Sequence, residues 1–322
     1  MTDGRADGSR VRTVFLGSGG FGVGALRALG AHPDLDVVGV VTAPPRPAGR
    51  NKRLTPTPVE AAAPAMGIET ILTPERLRTP EAIASVLALD PELAVLADYG
   101  QIVPPELLAL RYGALNVHPS LLPRHRGATP IPAAILAGDA ETGVTLMQMN
   151  AGLDTGPILA QRTHTLDGTE TTPTLEAALA QEVAELLASE VGPWIAGETI
   201  ARPQPLDGVT MTRPLRREDG RLDPTRPAVE LERQVRAYQP WPSSFIDTVA
   251  GRVAIWRAHD IGIPADGQTM TPGRIRASGM DAGDQAFLAF DEVQPAGGRR
   301  MAWRDFVRGH PAIVDSEIVP GP

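Results

Sequence analysis

"VRTVFLGSGGFGVGALRAL", residues 11–29, decides the fold. Val11 to Gly17 is apolar and rich in branched and aromatic side chains, which predicts a buried strand. Gly17, Gly19 and Gly22 then allow a tight turn, and the spacing from Gly20 onward predicts a helix to about residue 29. A strand that enters a helix directly through glycines is the opening of a βα unit.

The same alternation continues downstream. "DVVGVVT" (36–42), "ELAVLAD" (92–98) and "GALNVH" (113–118) read as further buried strands, with helical patterns over 57–66, 80–89 and 127–137. The chain is therefore expected to be α/β, with a Rossmann-like, mostly parallel sheet. "GVTLMQM" (143–149) and "ILAQRTHTL" (158–166) follow each other too closely to require a parallel pairing. A long helix should close this half, capped by Thr172, buried along Leu175, Leu179, Val183, Leu186 and Leu187, and ending near Gly192-Pro193.

Residues 197–208 have the composition of a linker, and beyond them a short helical piece (228–238) precedes several short strands. These predict a smaller β-barrel or sandwich, with Trp241, between Pro240 and Pro242, packing at its start. The expected organisation is a tail over 1–10, a first domain over 11–196, the linker over 197–208 and a second domain over 209–322.

The chain has 322 residues, no cysteine and a net charge of −8. Absence of cysteine removes disulfides, thiolate nucleophiles and cysteine-ligated metals, and the six histidines are too scattered to suggest a metal site. No apolar run is long enough to span a bilayer, and the polar N-terminus lacks a secretory core, so a cytoplasmic location is expected. The charge is uneven: residues 1–200 carry 14 basic and 22 acidic side chains, residues 201–322 carry 16 of each. Within the acidic part, "RPAGRNKR" (46–53) holds Arg46, Arg50, Lys52 and Arg53 without an acid, either as a solvated loop or as a phosphate-facing one.

Two constellations compete for the chemistry. "GSGGFG" (17–22) satisfies the glycine pattern of a dinucleotide site. Such a site needs a carboxylate at the end of the next strand, yet that strand ends in "VVTAPPRP" and Asp36 stands at its beginning. An NADP-dependent reductase using Arg46 is the form of that reading that survives; otherwise the glycines serve a packed turn. The other constellation is Asn116 and His118, two apart on one strand and so pointing the same way. Asp154, in the glycine-bracketed "MNAGLDTGPIL" (149–159), is either an ordinary turn residue or a third member. Together the three could bind a developing oxyanion and move a proton, which suits acyl transfer without a covalent enzyme adduct.

"NVHPSLLPRHRGATPIPAAILAGDAETGVTLMQMNAGLDTGPIL" (116–159) strongly resembles the folate-dependent formyltransferases. The family's Asn, His and Asp match Asn116, His118 and Asp154, and its Ser-Leu-Leu-Pro stretch matches Ser120, Leu121, Leu122 and Pro123. "PPRPAGRNKRLTPTPVEAAAPAMGI" (44–68) and "LERQVRAYQPWPSSF" (231–245) extend the resemblance to the members that act on tRNA.

The resemblance implies 10-formyltetrahydrofolate as formyl donor, with Ser120 to Pro123 and Gly152 beside it. It implies initiator methionyl-tRNA as acceptor, Arg46 and its neighbours on the tRNA, an OB-like second domain, no metal and a monomer. In this expectation Asn116 and a charged His118 hold the oxyanion while Asp154 handles the proton. A formyltetrahydrofolate hydrolase or a sugar-nucleotide N-formyltransferase would share the donor but leave the basic loop unexplained, and a noncatalytic tRNA-binding protein would not need His118. Two departures from the family are Pro224, where members often have Trp after the Asp matching Asp223, and a single lysine, Lys52.

Overall fold

The computed structural model describes residues 9–48, 53–263 and 269–319. Contacts divide the chain into two compact units: one runs to Pro130 and adds Glu141–Thr165 and Glu176–Arg213; the other comprises Ile131–Ala140, Leu166–Leu175 and the chain from Pro214.

In chain order the first unit contains β1 (Val11–Gly17), β2 (Leu35–Val41), β3 (Arg46–Ala48), β4 (Arg53–Thr55), β5 (Ile71–Leu72), β6 (Leu93–Ala97), β7 (Ala114–His118), β8 (Arg126–Gly127), β9 (Glu141–Gln148), β10 (Ile158–Thr165) and β11 (Met211–Thr212). Seven of these form one sheet in the order β10-β9-β7-β6-β1-β2-β5. The five from β7 to β5 are parallel, whereas β9 runs antiparallel to β7 and β10 antiparallel to β9. The expected Rossmann-like sheet is thus present, with the short connection between β9 and β10 explaining its antiparallel edge. Leu93 to Ala97 are buried throughout, as a central strand covered on both faces requires.

Helices α1 (Gly20–Ala31), α2 (Pro58–Ala62), α3 (Pro80–Leu87) and α4 (Pro105–Leu108) complete the α/β pattern of this unit, while α5 (Pro130–Ala137) falls almost wholly in the second unit and α6 (Thr172–Ile195) begins there and runs on in the first. α2 and α3 start alike, with Pro at the first position and the preceding Thr57 or Thr79 hydroxyl accepting from the N–H of Glu60 or Ala82. The start of α6 differs from expectation. Thr172 is already helical and its hydroxyl donates to the Ala237 carbonyl, while Thr171 exchanges bonds with Thr174 instead. Pro193 lies inside the last turn and the helix continues to Ile195. The five apolar positions expected to be buried are buried.

The first unit ends at Arg213, beyond the linker expected over 197–208. Arg202 pairs with Ile158, and β11 pairs in parallel with β8, so this stretch has backbone partners that its loop-like composition does not betray.

The second unit carries α7 (Ala228–Ala237), β12 (Ser244–Thr248), β13 (Gly251–Asp260), β14 (Ile275–Arg276), β15 (Gly279–Asp281), β16 (Phe287–Pro295), β17 (Met301–Ala302) and α8 (Trp303–Gly309). Its strands form an antiparallel sheet in the order β12-β13-β16-β15-β14, with β17 on β16. Leu231 and Val235 of α7 share a core with Ile255, Leu288 and Trp303, and Trp303 meets Phe290 edge-on at 5.0 Å. Trp241 does not join that core: it is 56% exposed.

Candidate active site

Strand β7 places Asn116 and His118 on one face of the sheet, beside Met147 and Thr145 of β9. Because β9 is antiparallel to β7, the loop after it leaves beside Ala114, whose carbonyl accepts the Met149 N–H. That loop folds back so that the Asp154 carboxylate lies between the two β7 side chains. Oδ1 accepts from Asn116 Nδ2 at 3.4 Å, and Oδ2 stands 3.8 Å from His118 Nδ1. The Gly127 N–H donates to Oδ2 at 2.8 Å. The structure therefore brings together all three residues singled out in the sequence.

His118 is buried, and its Nε2 lies 2.9 Å from the His125 carbonyl. A carbonyl only accepts, so Nε2 carries the proton and Nδ1 has the free lone pair. Burial pushes the His118 pKa below its ordinary value, against the opposing pull of the Asp154 charge and the bond to His125; the neighbouring His125 ring lowers it too. Burial thus works against the charged His118 expected from the sequence, and Asp154 works for it. Asp154 is placed to stabilise a proton at Nδ1.

The turn after β7 is built around one hydroxyl. Thr145 Oγ1 donates to the Ser120 carbonyl and accepts from the Leu122 N–H and from Gln161 Nε2, which also reaches the Leu122 carbonyl. Ser120 and Leu122 are buried, and the Ser120 hydroxyl donates to the Arg124 carbonyl, so these side chains hold the turn from inside. Leu121 and Pro123 are half-buried on the same turn, and Gly152 is exposed in the Asp154 loop, its N–H donating to Asn150 Oδ1. The tRNA-facing residues expected in the sequence divide: Arg46 and Arg53 are exposed on the β3-β4 hairpin, while Arg50 and Lys52 lie outside the described residues.

Sequence reasoning missed the residues that brace this site from the far end of the unit. Thr210 Oγ1 accepts the His125 N–H, and Thr212 Oγ1 donates to the Arg126 carbonyl. Gln204 binds both Arg126 and the Asp154 loop. Their only sequence signal is polarity within a loop-like stretch.

The glycine turn has another occupant than a dinucleotide. The sheet order reverses between β1 and β6, so the crevice for a phosphate would lie at the start of α1. There the Asp98 side chain accepts from the Gly19 N–H, and the Glu176 carboxylate accepts from the Phe21 N–H. A Cβ on Gly19 would fall 1.6 Å from Asp98 Oδ2, and one on Gly20 would fall 2.6 Å from Glu176 Oε1. The chain's own carboxylates thus fill the position a pyrophosphate would need, which removes the ground for the NADP reductase.

Comparison with known proteins gives one consistent result. A formyl transferase family model matches residues 11–191 and a formyl transferase C-terminal domain model matches residues 214–311. Methionyl-tRNA formyltransferase of Myxococcus xanthus is 41% identical over 317 residues, covering 96% of this chain and 98% of its own length. That of Chloroflexus aggregans is 42% identical, covering 93% and 97%. An N-formyltransferase from Helicobacter canadensis, solved with folinic acid and dTDP-3-aminofucose, shares the fold with a TM-score of 0.62 at 16% identity, over 87% of this chain and 98% of that one. HypX from Aquifex aeolicus, solved with tetrahydrofolic acid, gives 0.61 at 16% identity over 93% of this chain, which spans about half of HypX.

The carboxylates at the glycine turn have a measurable consequence. Burial raises the Asp98 pKa, with the Gly19 N–H opposing, and burial followed by the Asp98 charge raises that of Glu176. Both groups hold protons in the folded state at pH values where the unfolded chain has released them, so their contribution to stability falls as pH rises through that range. Asp98→Asn keeps an acceptor oxygen for Gly19 and removes the charge. It is expected to raise the melting temperature at pH 8, with the gain disappearing toward pH values near the ordinary carboxylate range of about 4; thermal denaturation across pH measures this.

Proposed function

The chain belongs to the formyl transferase family, and on that premise we propose that it transfers the formyl group of 10-formyltetrahydrofolate to the amino group of methionine on initiator tRNA, for translation initiation. The observation carrying this reading is the Asp154 carboxylate lying between the Asn116 amide and the free Nδ1 of His118. The relatives named methionyl-tRNA formyltransferase, matched nearly end to end, support the acceptor.

The roles follow from the protonation states. The neutral amine attacks the formyl carbon, a C–N bond forms, and the carbonyl electron pair moves onto oxygen. Asn116 Nδ2 donates to that oxygen in the water-poor site, where such a donor is worth most. The proton leaving the attacking nitrogen passes to His118 Nδ1, and Asp154 balances the imidazolium it creates. The bond from the formyl carbon to the donor nitrogen then breaks, and His118 returns its proton to that nitrogen, so the enzyme ends unchanged. The Ser120–Pro123 turn and Gly152 border the donor, chiefly through backbone groups, since Ser120 and Leu122 face inward.

Arg46 and Arg53 on the β3-β4 hairpin, with Arg50 and Lys52 between them in sequence, supply the phosphate contacts. The second unit, taken as the OB-like domain, helps hold the tRNA. Among the described residues no group could hold a metal and no helix is long and apolar enough to cross a membrane. We take a monomer as the working form, since Asn116, His118 and Asp154 all come from one chain.

Transfer of labelled formate from the donor to purified methionyl-tRNA tests this reading. His118→Ala should lower kcat by about 10²–10⁴-fold and Asn116→Ala by about 10²–10³-fold, with donor affinity little changed. Free formate in place of formylated tRNA would identify water as the acceptor and overturn the assignment. Arg46→Ala and Arg53→Ala should instead raise the KM for tRNA and flatten its salt dependence, each by roughly one phosphate contact. The pH profile gives a separate check. The acid limb of kcat/KM should fall below about pH 6.5, the ordinary imidazole value. Asp154→Asn, which removes the charge that supports the imidazolium, should move the limb lower still while depressing the plateau.

A further inference from the structure

We propose that Gln204 is a positioning residue for formyl transfer, its carboxamide tying the Asp154 loop to the turn at Arg126 and so fixing the Asp154 carboxylate between Asn116 and His118. The inference rests on the function proposed above and assigns a task to a stretch whose sequence reads as a linker.

The geometry is a closed circuit. Gln204 Nε2 donates to the Asp154 carbonyl and to the Gly156 carbonyl, both at 2.8 Å. Gln204 Oε1 accepts from Arg126 Nε at 3.0 Å and from Arg126 Nη2 at 2.6 Å. The next residue after Arg126 is Gly127, whose N–H holds Asp154 Oδ2. Asp154 is thereby held at both ends, its carbonyl through Gln204 and Arg126, its carboxylate through Gly127. The amide uses both hydrogens and both lone pairs, a full complement that neither a carboxylate nor an apolar side chain can reproduce.

Asp154 needs such restraint. Its φ is 49°, in the left-handed region that residues with a Cβ enter at some cost, so the local backbone does not favour the pose by itself. The loop is also pressed onto its strand, since a Cβ on Gly156 would fall 1.8 Å from the Gln148 carbonyl. Without Gln204, the Asp154 and Gly156 carbonyls would turn to water and the carboxylate would drift from His118. A displacement of about 1 Å in a reacting group costs on the order of 10²-fold in rate.

The test compares Gln204→Leu, which removes the whole circuit, with Gln204→Glu, which keeps an acceptor for Arg126 and loses only the donors to the loop. Both should lower kcat by about 10–100-fold while leaving the KM for donor and for tRNA within about twofold. In an Asp154→Asn background the same substitutions should cost little more, because the effect travels through that carboxylate. His118, faced by Asp154 and His125, gives a readout independent of turnover. Its imidazole titration, followed by NMR, should shift to lower pH in both Gln204 variants, whose folding is checked by circular dichroism. Absence of transfer by the unmodified chain would count against the proposed function alone, with the NMR titration still deciding the role of Gln204. An unshifted His118 titration, or a kcat within twofold of the unmodified chain in folded Gln204→Glu, would overturn it.

Discussion

The bond from the Gly127 N–H to the Asp154 carboxylate is the constraint on which the site depends. A carboxylate placed beside a buried imidazole and an amide must be held against its preference for water, and a backbone N–H fixed in a turn does so without side-chain entropy. That N–H points at Asp154 because Gly127 has φ of 106° and its residue pairs with Thr212. A Cβ there would fall 2.3 Å from the Thr212 carbonyl, so no other residue allows both the turn and the pairing. The cluster formed by β7 and the loop after β9 is therefore finished by a strand from the far end of the unit, and Thr210, Thr212 and Gln204 belong to the site as much as the turn they hold.

The same enclosure pulls the charge of His118 in two directions. Burial disfavours its charge, yet a carboxylate within 3.8 Å lowers the cost of charging it. An imidazole that remained protonated could not accept the proton of the attacking amine. One far from any anion would accept it poorly. In the proposed transfer, the 3.8 Å separation would suit a group that takes up a proton and gives it back.

The sheet was legible because its strands are unbroken apolar runs bounded by glycine and proline, and the glycine turn after β1 marked the first of them. Asn116 and His118 were legible for a geometric reason, since residues two apart on a strand must share a face. Asp154 could be suspected only from the glycines around it. Gln204, Thr210 and Thr212 carried no such mark: their partners lie 48 to 86 residues away, and polar side chains in a proline-containing stretch look the same whether they meet solvent or a catalytic turn. The glycine pattern misled for a related reason. Asp98 and Glu176, which fill the phosphate position, come from β6's end and from α6, and nothing local to the turn reveals them.

An acidic chain can still meet a polyanion, because many of its charges of both signs are spent on each other in pairs. Arg162 pairs with Glu182 and Glu185, Arg236 with Glu232, Arg221 and Arg252 with Asp247, and Arg276 with Asp281. Such pairs neutralise one another and project little field beyond a Debye length of about 8 Å at physiological salt. Net charge is then a poor guide to what a phosphate backbone encounters. Among the described residues neither Arg46 nor Arg53 has a carboxylate partner, and both stand exposed on a hairpin. Arginine in place of lysine suits that position, since its planar fork binds phosphate oxygens in pairs and cannot lose its charge. In the proposed reading, two exposed arginines on this hairpin would give the acceptor end a local positive contact on an otherwise acidic unit.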